Sequence, residues 1–133
     1  MKISLTQVDY NNEQQGKDLV MLLNAYALDP MGGGEALPIN VQENLVETIA
    51  KRSDFFTVLC YVDDKPAGII NFIEGFSTFK CKPLMNIHDC GVLKQYRGLG
   101  ISQKLFAEVE KISRVRGCCK LTLEVLEGNT VAK

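Results

Sequence analysis

Apolar and polar residues alternate near both ends of the chain, in the pattern of a β-strand that buries one face. The alternation covers residues 2–8 and 119–125. Between these segments, longer runs of β-branched and aromatic residues are typical of more deeply buried strands. The runs predict three further strands, at 55–62, 67–79 and 84–93. The sequence therefore predicts five strands.

Three other segments carry apolar residues at helical spacing. The first runs from 13 to 27 and ends at Asp29-Pro30, and a flexible glycine-rich loop follows it. Asn40 is expected to cap the second helix through its side-chain oxygen. The third helix is predicted from 100 to 116. Its apolar stripe consists of Ile101, Leu105, Val109 and Ile112.

The order of these elements is strand, helix, helix, three strands, helix, strand. The strands at 55–62 and 67–79 are joined by a tight turn, so they must be antiparallel. The segment 84–126 is a strand–helix–strand unit, which predicts a right-handed parallel crossover. The fold class is therefore α/β, an α+β-like mixed sheet with helices on its faces, in a single domain spanning 1–133.

The chain has a net charge of −1, but its charges are unevenly distributed. Seven basic residues lie between 94 and 120, opposed there only by Glu108 and Glu110. A local basic segment suits one small anionic ligand better than a nucleic acid, which usually binds a domain that is basic overall. The alternative is a solvated helix face whose charges are balanced by acidic neighbours in space. The basic residues are Lys94, Arg97, Lys104, Lys111, Arg114, Arg116 and Lys120.

Several classes of protein are disfavoured by features that the sequence lacks. No apolar run approaches the roughly 20 residues of a membrane helix, and the N-terminus lacks the apolar stretch of a secretory signal. The five cysteines are odd in number and form no C-x-x-C pair, which argues against a disulfide framework and against a zinc site. We therefore expect a cytoplasmic protein with no membrane partner, no nucleic-acid partner and no bound metal.

The segment 95–102, with the sequence QYRGLGIS, joins the fourth predicted strand to the third helix. Gly98 and Gly100 allow the backbone to turn sharply and to approach a ligand closely. The helix start presents unpaired N–H groups and partial positive charge, which together suit a phosphate or pyrophosphate. Arg97 adds a permanent charge with bidentate reach. The P-loop lysine is absent, and Gln103 replaces the third glycine of the dinucleotide fingerprint.

This motif and the elements around it resemble the GNAT superfamily of acyl-CoA-dependent N-acetyltransferases. The resemblance covers the chain well from Phe55 to its end, and the first fifty residues by element order alone. The turn at 63–68 is similar to the hairpin before the family's third strand, and Asn129 and Ala132 are similar to its N-x-x-A motif. The residues that match on the strand, glycine loop and helix are Val92, Gln95, Arg97, Gly98, Gly100, Ile101 and Leu105.

The resemblance implies the fold β-α-α-β-β-β-α-β and transfer of an acetyl group from acetyl-CoA, as co-substrate, to a primary amine of a small molecule or peptide. It also implies that the pyrophosphate accepts N–H bonds at the helix start and that the pantetheine arm pairs with the strand backbone. Gly91 is expected to mark a bulge or a close approach there. The implied coenzyme-binding residues are Cys90, Val92, Arg97, Gly98, Leu99, Gly100, Ile101, Ser102, Gln103 and Asn129.

A primary amine has a pKa near ~10, so acetyl transfer at neutral pH needs a base. Many relatives that resemble this chain carry a glutamate at the position of His88, and the resemblance makes His88 the candidate catalytic base. Histidine suits this role because its unperturbed pKa is near ~6.5. The alternative is that His88 only faces a neighbour in the sheet. Asp89, Glu74 and Asp9 are weaker candidates.

The sequence departs from the family pattern at its end, where relatives continue as a helix with a tyrosine that protonates the leaving thiolate. None of Tyr10, Tyr26, Tyr61 and Tyr96 matches that position. We therefore expect a C-terminally truncated core with an exposed fifth strand, and a homodimer that completes the sheet. The alternative function is a non-catalytic acyl-CoA-binding or interaction module. A third is a basic domain whose glycine turn only connects two elements.

Overall fold

The predicted order of strands and helices is confirmed by a computed structural model, which describes residues 1–123. Two short 3-10 turns, Pro30–Gly32 and Lys94–Tyr96, supplement the main elements. The strands and helices are β1 (Ile3–Gln7), α1 (Glu13–Leu28), α2 (Ile39–Ala50), β2 (Phe55–Val62), β3 (Lys65–Ser77), β4 (Lys82–Val92), α3 (Ile101–Val115) and β5 (Leu121–Leu123).

The five strands form one mixed sheet in the order β1-β2-β3-β4-β5. Strands β1 to β4 pair with one another antiparallel, which the tight turn predicted for β2 and β3. The fifth strand pairs with β4 in parallel, from Met85 opposite Leu121 to Ile87 opposite Leu123. The parallel crossover through α3 is therefore confirmed, and so is the mixed α/β class.

The helices cover the sheet on both faces, and each face has its own apolar cluster. Helix α3 packs through Ile101, Leu105 and Val109 against side chains of β2, β3 and β4. On the opposite face, Leu19 and Leu22 of α1 contribute to a second cluster, and residues of α2 pack against it. The contact of α3 with β3 is close, since a Cβ added at Gly68 would lie 2.9 Å from Ile101 Cγ2. Helix α3 thus lies directly against the β3 backbone at Gly68, where no side chain separates the two.

Three local predictions need correction. Asn40 is not the cap of α2: the helix begins at Ile39, the capping position is Pro38, and no side chain caps it. A proline has a fixed φ suited to helix entry, so it moves the start ahead of the asparagine. Strands β3 and β4 also begin two residues earlier than predicted, because Pro66 and Pro83 are tolerated within paired segments.

Candidate active site

A cavity of about 1090 Å³ opens where the end of α1 meets the end of β4 and the glycine loop. Most of the predicted coenzyme-binding residues line it, and the structure thus brings them together. The exceptions are Leu99, which does not line the cavity, and Asn129, which lies outside the described residues. The predicted residues that do line it are Cys90, Val92, Arg97, Gly98, Gly100, Ile101, Ser102 and Gln103.

The glycine loop has the backbone geometry that the sequence predicted. Gly98 has φ +87° and Gly100 has φ +75°, in the left-handed region that favours glycine. Gly100 is the capping residue of α3, and no side chain caps the helix. Within residues 1–123, the N–H groups of Ile101, Ser102 and Gln103 have no hydrogen-bond acceptor. The start of α3 therefore directs unpaired donors and the positive end of its dipole at the cavity.

The outer edge of β4 offers further backbone groups next to this helix start. The Leu93 N–H donates to the Ala67 carbonyl of β3 at 2.8 Å. Because bonded and non-bonded pairs alternate in an antiparallel ladder, Gly91 bonds to β3 while Cys90 and Val92 direct their N–H and C=O groups away from it. Over the described residues, the pairing of β4 with β5 covers only Met85 to Ile87. An extended ligand could therefore pair with this edge as an added strand would.

Arg97 has partners that the sequence did not predict. Its guanidinium Nη2 lies 2.7 Å from Asp29 Oδ2, and its Nε donates to the Val92 carbonyl at 3.3 Å. The pair joins the C-terminal end of α1 to the glycine loop. Because the guanidinium is half exposed, the interaction adds little stability. It does lower the free positive charge that Arg97 offers to an anion.

Gly91 is a point of close approach and not a bulge. A Cβ at this position would lie 2.9 Å from Cδ1 of Tyr26, whose ring lines the cavity from α1. Burial raises the pKa of the Tyr26 phenol, and the charges of Asp89, Cys90 and Asp29 raise it further. From the sequence, Tyr26 was only one of several apolar positions on α1. The contact with Gly91 shows that it forms a wall of the cavity.

The irregularity in β4 lies at His88. Asn71 of β3 is opposite Asp89 and Phe72 is opposite Ile87, so His88 is the extra residue of a bulge. His88 is exposed and does not line the cavity. The shift of register turns the following residue, Asp89, toward the face of the sheet that α1 covers.

Asp89 precedes Cys90 of the cavity lining on β4 and does not line the cavity itself. Burial raises its pKa, while a hydrogen bond from Asn71 and the charge of His88 lower it. The Asn71 amide donates to Asp89 Oδ2 at 3.1 Å. Asp89 in turn raises the pKa of Tyr26 and of Cys90, so its charge acts on two residues of the cavity lining. A carboxyl group with a raised pKa beside a cavity has the properties of a general base.

The other candidates for chemistry lie elsewhere or are unreactive. Glu74 forms an ion pair with Arg116, and the Asp9 carboxylate accepts the Asn11 N–H in the turn before α1. Burial, with the charge of Asp89, raises the pKa of the Cys90 thiol to about 12. That thiol is protonated at neutral pH and is a poor nucleophile.

The basic segment of the sequence is partly balanced by acidic neighbours. Arg97 pairs with Asp29, Arg114 with Glu110, and Arg116 with Glu74. At the end of α3 the basic residues therefore form a solvated helix face whose charges are balanced by acidic neighbours, which was the alternative interpretation of the basic segment. At the beginning of α3 the relevant groups are the backbone donors described above.

Residues 1–123 contain neither a metal-binding cluster nor a membrane-spanning helix. Among residues 1–123, no group of three or more histidine, cysteine, aspartate or glutamate side chains is arranged to hold a metal ion. In the same part of the chain, no helix is both long enough and apolar enough to cross a membrane.

Comparison with known proteins identifies the family. The model of the acetyltransferase (GNAT) family matches residues 19–133, which is most of the chain. The chain belongs to the GNAT acetyltransferase family. The resemblance noted at the glycine loop is thus confirmed, and the cavity of this GNAT chain lies within the matched region. A search of curated protein sequences found no significant match.

Solved GNAT structures share the fold over nearly the whole chain. A ribosomal-protein-alanine N-acetyltransferase from Brucella melitensis biovar Abortus matches with a TM-score of 0.79 and 16% identity, covering 99% of this chain and 86% of that one. A GNAT family acetyltransferase from Staphylococcus aureus matches with a TM-score of 0.78 and 22% identity, covering 98% and 91%. AAC(6′)-Iy, in complex with the bisubstrate analogue CoA-S-monomethyl-acetylneamine, matches with a TM-score of 0.77 and 16% identity, covering 99% of this chain and 85% of that one.

Proposed function

We propose that this GNAT chain transfers an acetyl group from acetyl-CoA to a primary amine of a small molecule or peptide. The observation that carries the proposal is that two groups of backbone donors lie along one cavity. They are the outward N–H groups of Cys90 and Val92 and the unpaired donors of Ile101, Ser102 and Gln103. Such an arrangement suits a ligand with an amide-containing arm and a pyrophosphate.

Two structural relatives support the choice of donor and acceptor. AAC(6′)-Iy was solved with a bisubstrate analogue that contains coenzyme A, and the Brucella protein is named as an N-acetyltransferase. In this chain the pyrophosphate would accept hydrogen bonds at the start of α3, and the pantetheine arm would pair with the edge of β4. An outward N–H of β4 would then stabilise the oxyanion that develops on the acetyl group.

We infer that Asp89 is the base that receives the proton of the amine. It is half-buried on the α1 face of the sheet, and its charge acts on Tyr26 and Cys90 of the cavity lining. His88, the candidate from the sequence, is the second choice, since it is exposed and outside the lining. Both residues belong to the same bulge, so the base is assigned to this segment in either case.

A non-catalytic acyl-CoA-binding module is the second candidate function. It is favoured by the position of the bulge, since neither His88 nor Asp89 lines the cavity itself. A module of this kind would keep the donor groups of β4 and α3 and would bind acetyl-CoA without transferring its acetyl group.

Two measurements on the same sample separate these functions. Acetyl-CoA is expected to raise the melting temperature, because ligand that binds only the folded state stabilises it. A panel of small amines and peptide N-termini is then tested for release of free coenzyme A thiol. Release with one or more amines supports the enzyme, and stabilisation without release above background supports the binding module. A melting temperature that acetyl-CoA does not change would contradict both functions.

The assembly and location expected from the sequence remain proposals. Strand β5 is an edge of the sheet over the described residues, and Leu121 is partly exposed there. We propose that a second copy of the chain pairs with this edge, in a cytoplasmic homodimer. Light scattering is expected to give the mass of a dimer, and a strictly monomeric mass at micromolar concentration would contradict the homodimer.

A further inference from the structure

A chain of four polar side chains crosses the sheet and ends at Asp89. The hydroxyl groups of Tyr10 and Thr57 are 2.9 Å apart, Thr57 Oγ1 lies 2.6 Å from Asn71 Oδ1, and Asn71 Nδ2 lies 3.1 Å from Asp89 Oδ2. Thr57 on β2 and Asn71 on β3 are fully buried, with exposed fractions of 0% and 1%. Buried polar groups in otherwise apolar strands cost free energy unless they are paired, so this arrangement calls for a specific explanation.

The direction of these hydrogen bonds follows from the atoms involved. Asn71 Oδ1 can only accept, so the single hydroxyl hydrogen of Thr57 is donated to it. With that hydrogen used, Thr57 can only accept from Tyr10, whose hydroxyl hydrogen is shared between Thr57 Oγ1 at 2.9 Å and the Phe55 carbonyl at 3.3 Å. The Asn71 amide then donates its Nδ2 hydrogen to the Asp89 carboxylate. All three bonds point the same way, toward the oxygen of Asp89, and such aligned bonds strengthen one another.

We propose that Thr57 and Asn71 are positioning residues that fix the Asp89 carboxylate, in its ionised form, next to the β4 residues that line the cavity. The proposal rests on the proposed function, in which Asp89 receives the proton of the amine. A carboxylate can accept the Asn71 hydrogen, and its own position is then determined by two fully buried residues on β2 and β3. The chain is not a route for protons, because the carboxamide of Asn71 has no hydroxyl or ring nitrogen to pass one along.

The titratable and charged groups around Asp89 come from two elements. His88 and Cys90 flank it on β4, and Tyr26 approaches from α1. Strand β3 contributes the neutral amide of Asn71. Burial raises the pKa of Asp89, and only the Asn71 hydrogen bond and the charge of His88 lower it. Loss of the aligned chain should therefore leave the carboxyl group protonated up to a higher pH.

Two substitutions at one buried position test the positioning role. Thr57→Val removes the hydroxyl donor and keeps the shape of the side chain, while Thr57→Ser keeps the donor and removes a methyl group. The titration of the Asp89 carboxyl carbon is followed by NMR, with the resonance assigned by its loss in Asp89→Asn. We expect the midpoint to move upward in Thr57→Val and to stay near the wild-type value in Thr57→Ser.

The pH profile of acetyl transfer gives the second readout, with the best amine of the panel as acceptor. Thr57→Val is expected to move the acidic limb of the kcat profile to higher pH, with a loss of up to about tenfold on that limb, part of the 10²–10⁴-fold that a positioned base contributes. The loss should shrink as the pH rises, and the KM for acetyl-CoA should not change. In Thr57→Ser the profile should match that of the wild type.

The possible outcomes distinguish a failure of the positioning role from a failure of the proposed function. Equal carboxyl midpoints in wild type and both variants would overturn the positioning role, and so would equal upward shifts in both, since side-chain volume would then be the cause. If Thr57→Val does not fold, Tyr10→Phe removes the first donor of the chain and must shift the midpoint in the same direction. A wild-type protein that transfers no acetyl group would contradict the proposed function instead, while the NMR titration still tests the hydrogen-bond chain.

Discussion

Asp89→Asn is expected to lower kcat for acetyl transfer by about 10²–10⁴-fold, which is the usual contribution of a general base. The asparagine oxygen can still accept the Asn71 hydrogen, so the local structure is retained while the proton acceptor is lost. The wild-type rate should fall as the pH is lowered through the raised pKa of Asp89. In the variant, the residual rate should not show this decrease at low pH. Initial rates measured across pH with a fixed amine provide the test.

Stability measurements separate this loss from unfolding. Burial raises the pKa of Asp89 above its value in the unfolded chain, so the folded state binds the proton more tightly. Ionisation of Asp89 therefore lowers the free energy of unfolding. The loss grows as the pH rises from the unfolded pKa to the folded pKa, and it stays constant at higher pH. Asp89→Asn removes this cost, and we expect its melting temperature at neutral pH to equal or exceed that of the wild type.

The matched control is the other residue of the bulge. His88→Gln keeps a polar side chain at an exposed position but removes a charge that lowers the pKa of Asp89, so kcat is compared at high pH, where it is expected to stay within about threefold of the wild type. A large loss in His88→Gln with a small one in Asp89→Asn would assign the base to His88 and contradict the role given to Asp89.

The second large effect is expected from Gly100→Ala. At φ +75° an alanine costs about 1–2 kcal/mol, because its Cβ approaches the following carbonyl oxygen. In the free protein the loop can relieve this strain by leaving the left-handed conformation at residue 100. Ligand binding must then return the loop to that conformation. That return corresponds to an increase of roughly 5–30-fold in the Kd for acetyl-CoA. Calorimetric titration with acetyl-CoA, or with coenzyme A, measures the change.

Gly117→Ala is a control on the same helix. Gly117 has φ +77° beyond the C-terminal end of α3, and a Cβ there would have open space, so its backbone strain matches that of Gly100. Gly117→Ala should lose stability without a change in acetyl-CoA binding, while Gly100→Ala should weaken acetyl-CoA binding. Equal weakening in the two variants would show that the glycine loop acts through general stability and does not hold the coenzyme.

The glycine loop was predictable from sequence because its signals are local. A strand, two glycines and an amphipathic helix lie next to one another along the chain, and their geometry needs no distant partner. The same holds for the order of the elements. The cap of α2 was predicted wrongly at Asn40 for a local reason as well, since Pro38 has a competing preference at the start of a helix.

The rest of the site depends on pairs that are distant in sequence. The ion pair of Arg97 with Asp29 joins residues 68 positions apart. The bulge at His88 is defined by the register of β4 against β3, which a strand's own residues do not determine. Thr57 and Asn71 left one readable signal, a polar residue flanked by apolar residues within a strand. The sequence could not say that the two residues hydrogen-bond to each other.

The number of residues between the bulge at His88 and the glycine loop is also important, because it determines which backbone groups of β4 face the open edge of the sheet. From Asp89 to Leu93, successive backbone groups face alternately toward β3 and toward the open edge. An insertion or deletion of one residue there would reverse this alternation and turn the Cys90 and Val92 donors toward β3. It would also move Gly91, which has no side chain, away from Tyr26. This segment should thus tolerate many side-chain replacements and hardly any change of length, a restriction that would appear in related sequences as an ungapped block.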